Sequence, residues 1–80
     1  MATIHFPADL AAHTGGLEAV DIAAPRVQEL MDAVVSRFPG LRPIVCEMAV
    51  AVDGEIYQEA DYVPLKPDSD VHLVPRTVGG

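Results

Sequence analysis

The chain has 80 residues, half of them apolar, and a formal net charge of −7 at pH 7 from 12 acidic and 5 basic residues. This length predicts one domain, and the apolar content argues against disorder. Cys46 is the only cysteine, which excludes an internal disulfide and a zinc site built on several cysteines. Because an acidic surface repels phosphate groups, we expect no nucleic-acid partner and no membrane partner. A basic protein surface is the natural complement, although the acidity could also serve solubility alone.

The N-terminal region does not resemble a targeting segment. Pro7 and Asp9 stand where a signal peptide would have an unbroken apolar stretch. No run approaches the roughly 18 apolar residues of a membrane span. The sequence therefore predicts a cytoplasmic protein.

Two strands joined by a long connection are predicted in the first part of the chain. Residues 3–6 alternate between polar and apolar side chains, as a half-buried strand does, and Pro7 ends the pattern. Residues 17–23 alternate again, with Leu17, Ala19 and either Val20 or Ile22 competing for the core. In the connection over residues 8–16, the segment His13-Thr14-Gly15-Gly16 has the composition of a turn. The whole connection is longer than a tight hairpin turn.

The apolar spacing changes to 3.6 residues after residue 24, which predicts a helix. Pro25 suits the first helical position, where its fixed φ and missing N–H cost nothing. An apolar stripe follows, made of Val27, Leu30, Met31, Val34, Val35 and Phe38. Phe38 precedes Pro39 and so leaves the helical region, and Gly40 completes the stop.

Three further strands are predicted after the helix. Residues 47–52 are typical of a central strand, and Asp53-Gly54 favours a type I′ hairpin turn because both residues need positive φ. The return strand begins at Ile56-Tyr57. Residues 66–70 have turn composition, and residues 71–74 form a last strand that a proline ends.

The order strand, strand, helix, strand, short strand, strand predicts an α+β fold. A mixed four- to five-stranded sheet would carry one main helix packed on one face. A ferredoxin-like sandwich is the alternative, but it needs a second helix, and the sequence has no second stretch with a period of 3.6 residues.

The last five residues, 76–80, have the composition of a flexible tail that follows a domain at residues 1–75. Gly79 and Gly80 lack a Cβ, so they could pass through a narrow channel of an enzyme. The carbonyl carbon of Gly80 would be unhindered if its carboxylate were activated as an acyl adenylate. Five extended residues reach about 16 Å. The tail could therefore enter an active site while the domain remains outside.

Several segments together carry a resemblance to a known family. They are Thr14-Gly15-Gly16, Arg37-Phe38-Pro39-Gly40-Leu41, Val52-Asp53-Gly54-Glu55, Pro64-Leu65, Val71 to Pro75 and Val78-Gly79-Gly80. In this order, over nearly the whole chain, they resemble the MoaD/ThiS family of ubiquitin-like sulfur-carrier proteins, and in particular the small subunit of molybdopterin synthase. The resemblance implies the β-grasp fold of ubiquitin.

The resemblance also implies a mechanism. An adenylating enzyme related to the ubiquitin activators, using ATP and magnesium, would adenylate Gly80, and a persulfide sulfur donor would convert it to a thiocarboxylate. This group would deliver sulfur to a precursor held by the large subunit of a synthase, with molybdopterin as the first expected product. Gly79, which has no side chain, would let the backbone pass through the narrow channel of the partner enzyme. The same channel would hold Val78, Thr77 and Arg76. The chain would be a protein cosubstrate rather than an enzyme, with no permanently bound cofactor and no metal.

Other functions remain open from the sequence. The acceptor could instead lead to a thiazole, cysteine, a thiolated tRNA base or a secondary metabolite. The chain could also be a ubiquitin-like modifier joined to lysines through Gly80, or an interaction domain with an inert tail.

Two departures from the family pattern bear on the pathway. Ser69 stands within Asp68-Ser69-Asp70 where the family commonly has glycine, which predicts a different turn, and Arg76 stands where molybdopterin-type carriers commonly have a second proline.

A docking face is expected on the side of the sheet that the helix leaves open. Because successive side chains of a strand point to opposite faces of the sheet, His72 and Val74 of the last strand should face away from the helix. His5 should lie on the same face. Val74 would then be an exposed apolar residue immediately before the tail. Ala49 and Ala51 should extend an apolar patch there, with side chains small enough for a partner to approach closely. Cys46 is expected to be a buried or semi-buried apolar residue.

Overall fold

The computed structural model describes residues 1–75, in which five strands form one mixed sheet in the order β2-β1-β5-β3-β4. The strands are β1 Ala2–His5, β2 Ala19–Ile22, β3 Met48–Val52, β4 Glu55–Tyr57 and β5 Asp70–Pro75. β1 pairs antiparallel with β2 and parallel with β5, and β3 pairs antiparallel with both β4 and β5. The two predicted hairpins and the neighbouring first and last strands are thus present.

One long helix, α2 (Val27–Arg37), covers one face of this sheet. Its residues Val27, Leu30 and Val34 are at most 1% exposed and pack with side chains from four of the strands. Met31 and Phe38 are partly buried against the same cluster, so the predicted apolar stripe is confirmed. The helix ends at Arg37, directly before the Phe38-Pro39-Gly40 stop.

The helix begins two residues later than predicted. Arg26 has an extended backbone, with φ of −144° and ψ of 166°, and Pro25 precedes it outside the helix. Residues 25–27 instead pair with an extended segment: the Val27 N–H donates to the Val63 carbonyl at 3.0 Å, and the Leu65 N–H donates to the Pro25 carbonyl at 2.9 Å. The fixed φ of Pro25 is compatible with both an extended and a helical backbone. The hydrogen bonds with residues 63 and 65 stabilise the extended one.

The connections before β2 and after α2 contain short helices that were not predicted, while Gly15 and Gly16, with φ of 67° and 89°, form the end of the turn predicted at residues 13–16. The first connection contains a 3-10 helix, Ala8–Leu10, and one turn of α-helix, α1 (Ala11–Thr14). After α2 the chain forms a 3-10 helix, Pro39–Leu41, and another single turn, α3 (Arg42–Val45). A single turn shows too little of the 3.6-residue period to be recognised in a sequence. Leu10, Thr14 and Leu41 from these turns are buried and close the ends of the core.

The two predicted turns with charged residues are linked to each other. Asp53 and Gly54 have φ of 49° and 90°, as the type I′ prediction requires. Ser69 lies in the turn closed by its N–H to the Lys66 carbonyl at 3.1 Å, and its φ is not positive. The Ser69 hydroxyl accepts from the Lys66 N–H at 2.8 Å and donates to the Asp53 carboxylate at 3.0 Å. Serine therefore contributes two hydrogen bonds at this position that glycine could not.

Candidate functional site

The last strand runs through the middle of the sheet and ends at Pro75, directly before the tail. β5 has a partner along both sides, with His72 paired to His5 of β1 and Pro75 paired to Met48 of β3. Val74 is the predicted site residue that the structure describes. The other predicted site residues, Arg76, Thr77, Val78, Gly79 and Gly80, lie outside the described residues, as does the predicted boundary of the flexible tail.

Val74 faces away from α2, as predicted, but it is only partly exposed. Val71 and Leu73 are buried against the helix, while His72 is exposed on the opposite face. The register pairs Val74 with Ala49 and His72 with Ala51, which places both alanines on the open face. These alanines are 1% and 9% exposed, so the predicted exposed alanine patch is wrong. Ala51 lies between the larger His72 and Ile56 on the two neighbouring strands, and Ala49 lies beside Val74, so larger side chains stand next to both alanines.

Two histidines occupy the middle of the open face. The rings of His5 and His72 are stacked, with centroids 4.2 Å apart and planes 8° from parallel. The Asp70 carboxylate lies 3.1 Å from His5 Nε2. On the edge strand Ile56 belongs to the same row, since it pairs with Ala51, and it is 64% exposed. The open face thus presents imidazole rings and one large aliphatic side chain, not a purely apolar patch.

A carboxylate network fixes the turns at the far end of β5 from the tail. The Asp53 carboxylate accepts from the Asp70 N–H at 2.9 Å and from the Ser69 hydroxyl at 3.0 Å. These two hydrogen bonds stabilise the charged form and hold the pKa of Asp53 below its ordinary value of 3.8. The Asp53 N–H also donates to the Asp70 carbonyl at 2.9 Å. This network holds the β3–β4 hairpin against the start of the last strand.

Cys46 is exposed, so the prediction of a buried or semi-buried thiol is wrong. It follows α3 directly and precedes β3, and it lines a groove together with Met31 of α2 and Tyr62 of the next loop. The prediction depended on the general tendency of free cysteine to be buried, but the chain turns between α3 and β3, and the side chain is exposed there.

Within residues 1–75, no helix is long and apolar enough to cross a membrane. The same part of the chain holds no group of three or more His, Cys, Asp or Glu side chains that could bind a metal ion.

Comparisons with known proteins bear on the fold. No protein-family model matches the sequence, and no curated protein matches it. A chain in the crystal structure of the Amycolatopsis orientalis BexX/CysO complex is 25% identical, with a TM-score of 0.84 and a match over 100% of both chains. The small archaeal modifier protein 1 (SAMP1) of Methanosarcina acetivorans is 14% identical, with a TM-score of 0.82, over 99% of this chain and 95% of that one.

A third similar structure is the complex of subunits 1 and 2 of the molybdopterin-converting factor of Helicobacter pylori. One of its chains is 20% identical, with a TM-score of 0.67, over 99% of this chain and 97% of that chain. The chain therefore has the β-grasp, ubiquitin-like fold that the sequence predicted. The archaeal and Helicobacter likenesses, at 14% and 20% identity, show this fold alone.

Two features at the end of β5 were not predicted from the sequence. One is the groove between the end of β5 and the short helices beside it, because those helices were not predicted. The other is that Asp9 and Glu47, which are far apart in the sequence, line the same groove. The sequence signal was weak, since Asp9 comes shortly after the first predicted strand and Glu47 is the first residue of the predicted strand 47–52.

Proposed function

We propose that this protein is a sulfur carrier whose Gly80, as the carboxyl-terminal residue, carries sulfur as a thiocarboxylate. The observation that carries the proposal is positional. β5 pairs with β1 over residues 70–72 and with β3 as far as Pro75, and residues 76–80, which come next in the sequence, include Gly79-Gly80. The full-length likeness to a chain of the BexX/CysO complex supports the proposal, as does the family resemblance of the sequence.

The chemistry requires an activating partner. An adenylating enzyme joins the Gly80 carboxylate to the adenylyl group of ATP, with magnesium, and pyrophosphate leaves. The terminal sulfur of a persulfide donor then attacks the acyl carbon, AMP leaves, and an acyl disulfide forms. A thiol reduces the S–S bond of that acyl disulfide, which frees the thiocarboxylate and leaves the thiol and the donor sulfur as a disulfide.

This chain's own contribution is a compact domain and an unhindered end. Glycine at both final positions leaves the acyl carbon open to attack and lets the backbone enter a confined site. With a reach of about 16 Å from Pro75, Gly80 can enter that site while the domain stays outside. We place Arg76, Thr77 and Val78 along the partner's channel and Gly79 at its narrowest part, and we assign the reactions to the cytoplasm. The chain is then a cosubstrate, and catalysis belongs to its partners.

The first acceptor we propose is the molybdopterin precursor on the large subunit of a synthase. The acceptor assay should also include the thiazole, cysteine, tRNA and secondary-metabolite routes.

The test is intact-mass spectrometry of the protein after incubation with an adenylating enzyme, MgATP, a persulfide donor and a thiol. Replacing one oxygen by sulfur adds about 16 Da. A Gly80-deleted chain is the matched control and should not change. A wild-type mass that stays unchanged with each candidate enzyme contradicts the carrier function. A chain joined to protein lysines, with no thiocarboxylate detected, would assign the modifier function instead.

A further inference from the structure

An open groove of about 850 Å³ lies at the end of the sheet where β5 stops. We call it the strand-end groove. It is lined by Asp9, Leu10, Pro43, Ile44, Glu47, Met48 and Pro75.

The sheet topology explains why these residues meet. β1 runs parallel to β5 and leaves the sheet after His5, so the 3-10 helix Ala8–Leu10 lies on one side of the strand end. β3 runs antiparallel and starts at Met48, directly opposite Pro75, so Glu47 lies on the other side. Both segments that flank the exit of the tail therefore contribute a wall of the groove.

The groove combines an apolar base with negative charge. Leu10 is buried, and Ile44 and Met48 are partly buried, so they form an apolar surface. Asp9 and Glu47 are exposed and are the only charged residues among those lining it within residues 1–75. Such a surface is complementary to an apolar side chain flanked by lysine or arginine.

We propose that the strand-end groove is a docking surface for the adenylating enzyme, which contacts it with an apolar side chain flanked by basic residues. The proposal rests on the proposed function. Gly80 lies five residues beyond Pro75, so an enzyme that encloses Gly80 comes within about 16 Å of the groove. An enzyme surface of ordinary size covers that distance, and Pro75, which directly precedes the proposed tail, itself lines the groove.

Two pairs of charge reversals separate local docking from overall charge. The groove variant is Asp9→Lys with Glu47→Lys. The matched control is Glu59→Lys with Asp61→Lys, which changes the net charge equally in a different groove, beside α2. Asp9→Asn with Glu47→Gln is a milder second groove variant, in case the first fails to fold. Binding of each full-length chain to the enzyme is measured by calorimetry without ATP, and adenylation is measured by pyrophosphate exchange.

We expect the groove variant to bind about tenfold more weakly and to raise the KM for the carrier by a similar factor. Its kcat should stay within about twofold, because docking charges act before the chemistry. The control should lose less than about threefold in affinity, which is the part due to overall charge.

Unchanged affinity in a folded groove variant overturns the proposal, and so does an equal loss in both pairs. Tighter binding of the groove variant would assign the groove to the chain's own residues 76–80. A doubled mass in solution that only the groove variant loses would assign it to a second copy of the chain. Since calorimetry without ATP requires no reaction at Gly80, binding that depends on the groove with no gain of sulfur would contradict the proposed function alone.

Discussion

The two faces of the sheet use the same strands for different purposes. On the face under α2, Ile4 and Val71 are fully buried and pack with the helix in one apolar cluster. On the other face, which points away from α2, their strand neighbours His5 and His72 stack on each other. Period 2 alone separates the two sets, so one residue along a strand moves a side chain from the core to a surface available to a partner. Stability is therefore expected to depend on one face, and partner binding on the other face and on the strand end.

The largest expected effect compares two isoleucines on opposite faces. Ile4 is 0% exposed in β1, and Ile56 is 64% exposed in β4. Ile4→Ala should destabilise the fold by about 2–5 kcal/mol, because it removes packed methyl groups and leaves a cavity. Ile56→Ala should change stability by no more than about 0.5 kcal/mol. Urea denaturation of both variants checks this, and similar losses would remove the distinction between the faces.

A smaller effect is expected on binding at the open face. Val74→Asp places a charge beside the exit of the tail and should weaken binding to the adenylating enzyme by about 1–3 kcal/mol. Ile56→Asp introduces the same charge on the same face, at the sheet edge, and should have a smaller effect. Calorimetry measures both affinities. Because Val74 is partly buried, its variant should also melt at a lower temperature than the Ile56 variant. Equal affinities for wild type and a folded Val74→Asp chain would exclude this face from docking.

The smallest effect concerns the two turns that Asp53 links at the start of β5. The pKa of Asp53 is lowered from 3.8 by its hydrogen bonds from Asp70 and Ser69. A lowered folded-state pKa contributes stability that is present above about pH 4 and lost as the pH falls through the folded value. Asp53→Asn removes the titrating group, so its stability should fall less between pH 5 and pH 3. Parallel urea midpoints for both chains across that range, with an equal fall, would contradict this role.

Features encoded locally could be predicted from the sequence. The stripe from Val27 to Phe38 and the Asp53-Gly54 turn each follow from a few neighbouring residues, and the structure has both. That the first and last strands are neighbours was predicted through the family resemblance, since pairing of β1 with β5 joins residues about 70 positions apart. The open face of His5, His72 and Val74 then followed from period 2.

The errors occur where distant segments decide the outcome. Pro25 lies outside the helix because residues 63 and 65 pair with the chain there. Ala49 and Ala51 are buried beside larger side chains of the strands with which they pair, and exposure of Cys46 depends on how α3 leads into β3. The strand-end groove requires Asp9 and Glu47 on either side of Pro75, which the sequence separates widely. Val74 and the proposed tail residues of the candidate site could be predicted from the sequence. The strand-end groove beside them could not.

Fragmentation of the intact protein by mass spectrometry tests the central claim most directly. The wild-type chain is treated with the adenylating enzyme, MgATP, a persulfide donor and a thiol, and its backbone is then cleaved in the gas phase. We predict that every fragment containing Gly80 gains about 16 Da, while fragments ending before Gly80 keep their mass. Sulfur located at Cys46 instead, or the absence of sulfur from all fragments, would contradict the assignment of Gly80 as the sulfur-carrying residue.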